Sequence, residues 1–214
     1  TESILFLYKK YGIDFVKFLR GMYAISIWDS KNNKGYLITD YLAQKPIFYT
    51  FIDEKLFFSS ELESLVILVR SAKKVKEEIN NNSLIEILNL TCVVNGKTIY
   101  KDIKRLKPSQ ILEFDALKKS YKLSYIKRFL PSQKTIKKSE EDIVQDIRNL
   151  LLNAIRKRVD SSLPQSLYLS GGVDSSLIAC MIRELYPKIK INTFTLSYCG
   201  KYVDEGKKND TQMA

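Results

Sequence analysis

Residues 166–176 read Ser-Leu-Tyr-Leu-Ser-Gly-Gly-Val-Asp-Ser-Ser, and this stretch decides how the second half of the chain must fold. Ser166 to Leu169 has the length and apolar content of a buried strand, and Leu177 to Leu185 is a helix stopped by Pro187. With a second strand over Ile191 to Leu196, the segment forms a βαβ unit. Between strand and helix, Gly171 and Gly172 let the backbone approach a ligand closely, and the unpaired amides of the helix N-terminus point at whatever sits there. That arrangement favours an anion. Ser170, Ser175 and Ser176 add hydroxyl donors. Asp174 would repel a bare phosphate and is better suited to Mg²⁺ that is itself bound to phosphate oxygens. No lysine follows the glycines, so this is not the GxxxxGK[ST] loop that transfers a γ-phosphate. The competing reading is a Gly-Gly turn in which Ser and Asp merely cap a helix.

Working upstream, Ser139 with Asp142 three residues on caps a helix whose stripe of Ile143, Ile147, Leu150, Leu151, Ala154 and Ile155 keeps one face apolar. Residues 127–138 hold little apolar material and read as a linker. Residues 1–126 are a different kind of domain. Glu2 to Leu19 has helical spacing interrupted at Gly12. Met22 to Trp28 and Tyr36 to Ile38 form a hairpin, apolar on both faces and expected inside a sheet covered on both sides. Pro46 to Phe51 and Lys55 to Phe58 are joined through Asp53-Glu54, giving a mainly antiparallel sheet. Ser60 with Glu63, and Ser83 with Glu86, have capping-box spacing at the start of two short helices. Thr98 to Tyr125 reads as short strands around Lys107-Pro108-Ser109.

The bulk numbers exclude several functions. The chain of 214 residues has no histidine, which removes Ser-His-Asp, Cys-His and His-ligated metal chemistry. Cys92, Cys180 and Cys199 form no CxxC pair and are expected to be reduced, structural residues. A net charge of +11 invites a nucleic-acid partner. The lysines are scattered instead of gathered on one helix, which argues against it. No run is long and apolar enough for a membrane helix and no signal segment is present, so a cytoplasmic location is expected.

The order Ser170-Gly171-Gly172-Val173-Asp174-Ser175-Ser176 resembles the loop of the ATP-pyrophosphatase, or PP-loop, family. That resemblance implies cleavage of ATP between its α and β phosphates and a grip on the departing pyrophosphate. The upstream segments are similar, in the same order, to the glutaminase domain of glutamine-hydrolysing asparagine synthetases. Thr1-Glu2-Ser3-Ile4-Leu5 through Tyr11-Gly12 matches that family's T-E-x-x-L…Y-G, and Leu19 to Asp29 its L-x-G-M-F-A-F-A-x-W-D strand. Thr39 to Tyr49 is similar to R-D-x-x-G-x-K-P-L-Y-Y, Phe58 to Leu62 to F-A-S-E-x, and Thr98 through Pro108 to T-I-F…L-P-P.

The resemblance implies an α+β domain of the N-terminal-nucleophile (Ntn) type with layered sheets, incomplete here, over 1–126. A linker over 127–138 and the first βαβ of an α/β PP-loop domain over 139–214 follow. It implies a ligase in which glutamine yields ammonia, and ammonia attacks an acyl-adenylate to give an amide, AMP and pyrophosphate, with aspartate as the acceptor. Alternatives within the family are amidation of a sugar acid or surface-polysaccharide precursor, and cyclisation of the β-lactam type. A PP-loop enzyme that modifies tRNA and a non-catalytic interaction domain are the rivals outside it.

Carried over residue by residue, Asp40 holds the α-amino group of glutamine, the alternative being an aspartate that caps the following turn. Thr39 and Ala43 stand where the family writes Arg and Gly. Ser170, Gly171, Gly172, Asp174, Ser175 and Ser176 hold ATP and pyrophosphate with Mg²⁺. Tyr168 and Leu196 flank adenine, the alternative being core packing, and Asp204 and Glu205 match an acidic pair. The cysteine nucleophile is expected upstream of Thr1, which is read as lying inside a helix. On this reading the stretch alone is expected to be inactive, and a homodimer stays open.

Overall fold

The structure, a computed structural model, describes residues 2–71, 78–126, 137–159 and 162–196. The chain divides into two compact units, residues 1–131 and 132–214. The expected linker therefore falls mostly outside the described residues, as do Thr1, Cys199, Asp204 and Glu205.

The first unit opens with α1 (Glu2–Tyr11), and the left-handed Gly12 (φ 57°) turns it into a 3-10 helix over Gly12–Phe18. One antiparallel sheet has the order β1-β2-β6-β7, where β1 is Ala24–Asp29, β2 Lys34–Thr39, β6 Gln110–Asp115 and β7 Ser120–Tyr125. A second has the order β4-β3-β5, with β3 Phe48–Ile52, β4 Lys55–Ser59 and β5 Lys104–Arg105. The β3–β4 connection is the two-residue turn Asp53-Glu54, both at positive φ, whose twist suits a tight hairpin.

Alternation along the strands sorts the core into three clusters. Ile25, Ile27, Tyr36, Ile38 and Ile111 face Phe15, Val16 and the α1 side chains. The opposite face of the same sheet sends Leu37 and Leu112 against Tyr49, Ile47 and Leu106. The far face of the second sheet packs Ile52 on Leu65, Val66 and Val69 of α2 (Leu62–Ser71). The unit is thus layered helix, sheet, sheet, helix. Strand β2, central and loaded on both faces, is buried along nearly its whole length, as its unbroken apolar run requires.

Four expectations need correction. The hairpin is not covered on both sides: β1 ends the sheet order, and its outward Trp28 is 57% exposed. The cap of α3 (Asn81–Leu90) is not Ser83 but Asn80, whose side chain accepts Ser83 N–H at 3.4 Å, leaving Ser83 inside the first turn with its hydroxyl buried and unpaired. Asn is as good an N-cap acceptor as Ser, and the asparagine run places one three residues ahead of Ser83. Likewise α2 begins after Glu61, and it is Ser59 whose hydroxyl takes the Glu61 amide at 3.1 Å. Cys92 and Cys180 are free thiols, as read, but exposed, so neither fills the core.

In the second unit, α4 (Glu140–Arg156) starts as expected, with the Ser139 hydroxyl accepting Asp142 N–H at 3.1 Å. Strands β8 (Gln165–Tyr168) and β9 (Ile191–Phe194) pair in parallel around α5 (Val173–Leu185). That is the βαβ unit, but its helix starts four residues earlier than expected, taking Val173 to Ser176 out of the loop and into the first helical turn, and its second strand is two residues shorter.

Candidate functional site

Two sites emerge, one in each unit. In the second, the chain leaves β8 through Leu169, whose N–H is held by the Phe194 carbonyl at 2.9 Å and whose carbonyl accepts the Thr195 hydroxyl at 2.7 Å. These bonds anchor the loop base to β9. Gly171 then takes φ +73°, a conformation that would strain any side-chain-bearing residue, and Gly172 starts α5 with no side chain to cap it. The helix's first amides are consequently left for a ligand.

The serines hold the loop in shape. The Ser170 and Ser175 hydroxyls lie 3.2 Å apart, Ser175 Oγ accepts Ser170 N–H at 3.3 Å, and Ser170 Oγ accepts Gly172 N–H at 3.4 Å. The alternative of a Ser-capped helix fails on this geometry, because neither hydroxyl accepts from an amide of the helix's first turn. Ser175 Oγ lies 3.2 Å from the Gly172 carbonyl, and the Ser176 amide closes the first turn on that same carbonyl at 3.1 Å.

Asp174 is exposed in the first turn and makes no hydrogen bond or ion pair among the described residues. No cluster of three or more metal-ligating side chains occurs among the described residues. A single carboxylate among hydroxyls fits Mg²⁺ that keeps its waters and takes its remaining ligands from phosphate oxygens, and not a dedicated protein cage. Tyr168 and Leu196 are 85% and 70% exposed. Core packing is therefore not their role within the unit, and the Tyr168 ring lies 6.3 Å from that of Phe194, forming an open aromatic surface beside the loop.

The first unit centres on Asp40, fully buried at the end of β2. Its Oδ1 accepts the amides of Leu42 (3.0 Å) and Gln44 (3.1 Å), and its Oδ2 those of Lys45 and Tyr23 (both 3.2 Å). Burial pushes the carboxyl pKa up, but the amide bonds of Gln44, Leu42, Lys45 and Tyr23 outweigh it and hold the group below the usual aspartate range. The Asp40 main chain is clamped as well: its amide donates to the Tyr23 carbonyl at 3.1 Å, and its carbonyl accepts from Ala43 and Ser109 at 3.0 and 2.9 Å. Asp40 thus caps the following turn.

The two departures from the family pattern have structural substitutes. Ala43 adopts φ +49° at the position where the family has glycine, at a cost of roughly 1–2 kcal/mol. Its amide bond to Asp40 and the Arg105 guanidinium donating to its carbonyl at 3.2 Å hold it there. The Thr39 hydroxyl donates to the Lys107 carbonyl at 2.8 Å, tying the end of β2 to the loop before β6. Sequence reasoning missed the tie from Asp40 to Tyr23, and nothing local could have revealed a bond spanning 17 residues.

Against this geometry, residues 1–126 match the family described as glutamine amidotransferase domain, and residues 146–214 match asparagine synthase. The chain is 34% identical over 202 residues to a Methanocaldococcus jannaschii protein provisionally named asparagine synthetase [glutamine-hydrolyzing] 2, covering 94% of this chain and 38% of that protein. It is 26% identical over 198 residues to asparagine synthetase [glutamine-hydrolyzing] 1 of Bacillus subtilis (92% and 30%). To the amidase chyE of Penicillium rubens it is 29% identical over 189 residues (86% and 26%). The chain thus spans between about a quarter and two-fifths of the length of these curated relatives.

Proposed function

Since the chain belongs to the family of glutamine-hydrolysing asparagine synthetases, we propose that it serves an ATP-dependent ligase that forms an amide from aspartate with ammonia drawn from glutamine. The observation that carries this reading is the solvent-open segment 170–176, which leaves β8 through two glycines and enters the first turn of α5, whose first amides have no side-chain cap. Those amides, with the Ser170, Ser175 and Ser176 hydroxyls, hold the pyrophosphate portion of ATP. Asp174 holds Mg²⁺ through its bound phosphates, and the ion offsets charge on the departing pyrophosphate. Tyr168 and Leu196 border the adenine. With the hydroxyls and amides given to phosphate oxygens and Asp174 to the ion, the segment's contribution is to position ATP for attack by the acceptor carboxylate, with an acyl-adenylate as product.

The first unit is proposed as the glutaminase portion, and its helix-sheet-sheet-helix layering supports an Ntn-type fold. Glutamine is assigned to the Asp40 turn. A carboxylate suits an α-ammonium group, and because both oxygens are committed to backbone amides, the substrate exchanges one of them, the 3.2 Å contacts from Tyr23 or Lys45 being the longest.

The decisive experiment measures pyrophosphate release by the intact protein, with ATP and Mg²⁺, against aspartate and a panel of sugar acids, using either glutamine or ammonia. Aspartate-dependent release with both nitrogen sources is expected. Release that depends on another acid replaces the acceptor, and absence of any release with all acids refutes the ligase reading.

A further inference from the structure

The first unit carries a second polar concavity that the ligase reading does not use. A groove of about 400 Å³ runs beside β5, floored by the buried Tyr49 and by Tyr125, and among the described residues no carboxylate lines it. Five of its lining residues are lysine or arginine. Two of these are neutralised, Lys97 by Glu86 at 2.6 Å and Lys101 by Glu78 at 2.8 Å. Lys104 and Lys107 make no ion pair among the described residues, and Arg105 donates only to the uncharged Ala43 carbonyl. Lys104 and Lys107 thus bring two positive charges to one concavity with no counter-ion among the described residues, while Asp53 and Asp102 line the adjoining groove.

The walls are built to stay in place. Gly96 has φ +72°, and a Cβ there would lie 2.7 Å from the Arg105 carbonyl oxygen, so only glycine lets the Asn95-Gly96 turn close onto β5. The Arg105 amide then donates to the Gly96 carbonyl at 2.9 Å. Gln110 fixes the floor, accepting the Lys107 amide at 2.9 Å and donating to the Tyr125 hydroxyl at 3.2 Å. Asn80, the N-cap of the ten-residue helix α3, also lines the groove and brings the positive end of that helix to it.

We propose that this groove binds a small phosphorylated metabolite, its phosphate held by Lys104 and Lys107 and its organic part resting on Tyr49 and Tyr125. Like charges held together repel, and a doubly charged oxyanion relieves that repulsion at a site whose donors are already placed. The volume suits a ligand the size of a sugar phosphate. The site belongs to the first unit and shares no residue with the loop 170–176.

Calorimetric titration of the full chain with ribose 5-phosphate and with inorganic phosphate, at about 20 mM and about 200 mM salt, tests it. Saturable one-to-one binding is expected, weakened by added salt. Lys104→Gln with Lys107→Gln weakens it by about tenfold or more, Lys104→Arg with Lys107→Arg retains it, and Ser175→Ala in the other unit leaves it unchanged. Tighter binding of the ester than of free phosphate is the expected order. No saturable heat up to about 10 mM of either probe overturns the proposal, as does undiminished binding by the double glutamine variant or loss of binding in Ser175→Ala.

Discussion

Replacing Asp40 by Asn tests whether the carboxylate, and not merely a polar side chain of its shape, holds the turn after β2. Asn retains one oxygen able to accept two amides, and sets an NH₂ group against the other two. Of the four bonds at 3.0–3.2 Å, two are lost and two donors are stranded. Hydrogen bonds to a charged group contribute about 1.5–3 kcal/mol each, and buried unpaired donors cost about 1–3 kcal/mol. A loss of roughly 3–6 kcal/mol follows, a large share of the 5–15 kcal/mol typical of a domain. The assay is urea unfolding followed by the fluorescence of Trp28, the only tryptophan in the chain and placed on β1 of the first unit. The midpoint should fall with little change in slope. The pH dependence carries the sign: the folded carboxyl titrates below its unfolded value, so its stabilisation is complete above that value, near 3.9, and is lost as pH falls through the folded one. The gap between parent and Asp40→Asn should therefore stay constant from neutrality to about pH 5 and narrow below about 4. A difference under about 1 kcal/mol, or a gap that ignores pH, refutes the reasoning.

Asp40→Asn in the intact protein should also raise the KM for glutamine while ammonia-supported pyrophosphate release persists; equal loss of both activities would deny Asp40 a glutamine-specific role. Gly171→Ala forces a methyl-bearing residue into φ +73° and should weaken ATP binding by about tenfold or more, read by calorimetry, since about 1–2 kcal/mol of strain falls on the loop itself. In Asp174→Asn the dependence of ATP affinity on Mg²⁺ should flatten, whereas metal-free ATP binds as well or better because a repelling charge is gone; unchanged Mg²⁺ dependence counts against the assignment. Ser83→Ala removes a buried hydroxyl that has no partner and should leave stability unchanged or raise it by up to about 1 kcal/mol in the same urea assay, whereas a clear loss would mean that hydroxyl is bonded.

The turn from β8 into α5 was legible because its information is contiguous. Glycines, hydroxyls and carboxylate lie within seven residues, and the flanking periodicities place the glycines between a strand and a helix without any tertiary knowledge, although the helix takes Asp174, Ser175 and Ser176 into its first turn. The cap of α3 was misread for the opposite reason. Ser83 and Glu86 satisfy the capping-box spacing, but Glu86 is drawn away to Lys97 and the Val94 amide, both supplied by the turn that follows the helix. A three-residue pattern cannot express that competition. Trp28 shows a related limit: its apolar strand reads as buried on both faces, yet position at the end of the sheet order leaves one face open.

Asp40 marks the boundary between these cases. Its own turn is written in the next five residues, and the amides of Leu42, Gln44 and Lys45 could be anticipated from an aspartate preceding a tight bend. The fourth amide comes from Tyr23 on the chain entering β1, and Ser109 reaches the Asp40 carbonyl from the chain entering β6. Three segments distant in sequence therefore meet at one residue, so Asp40, whose carboxylate the family resemblance assigns to a substrate, also holds neighbouring strands in register through its side chain and main chain together. Such a residue cannot be changed for substrate affinity alone. On the proposed reading, exchanging an amide for a bound ammonium loosens the β1 or the turn contact, which would couple occupancy of the proposed glutamine site to the packing of the sheet that bears it.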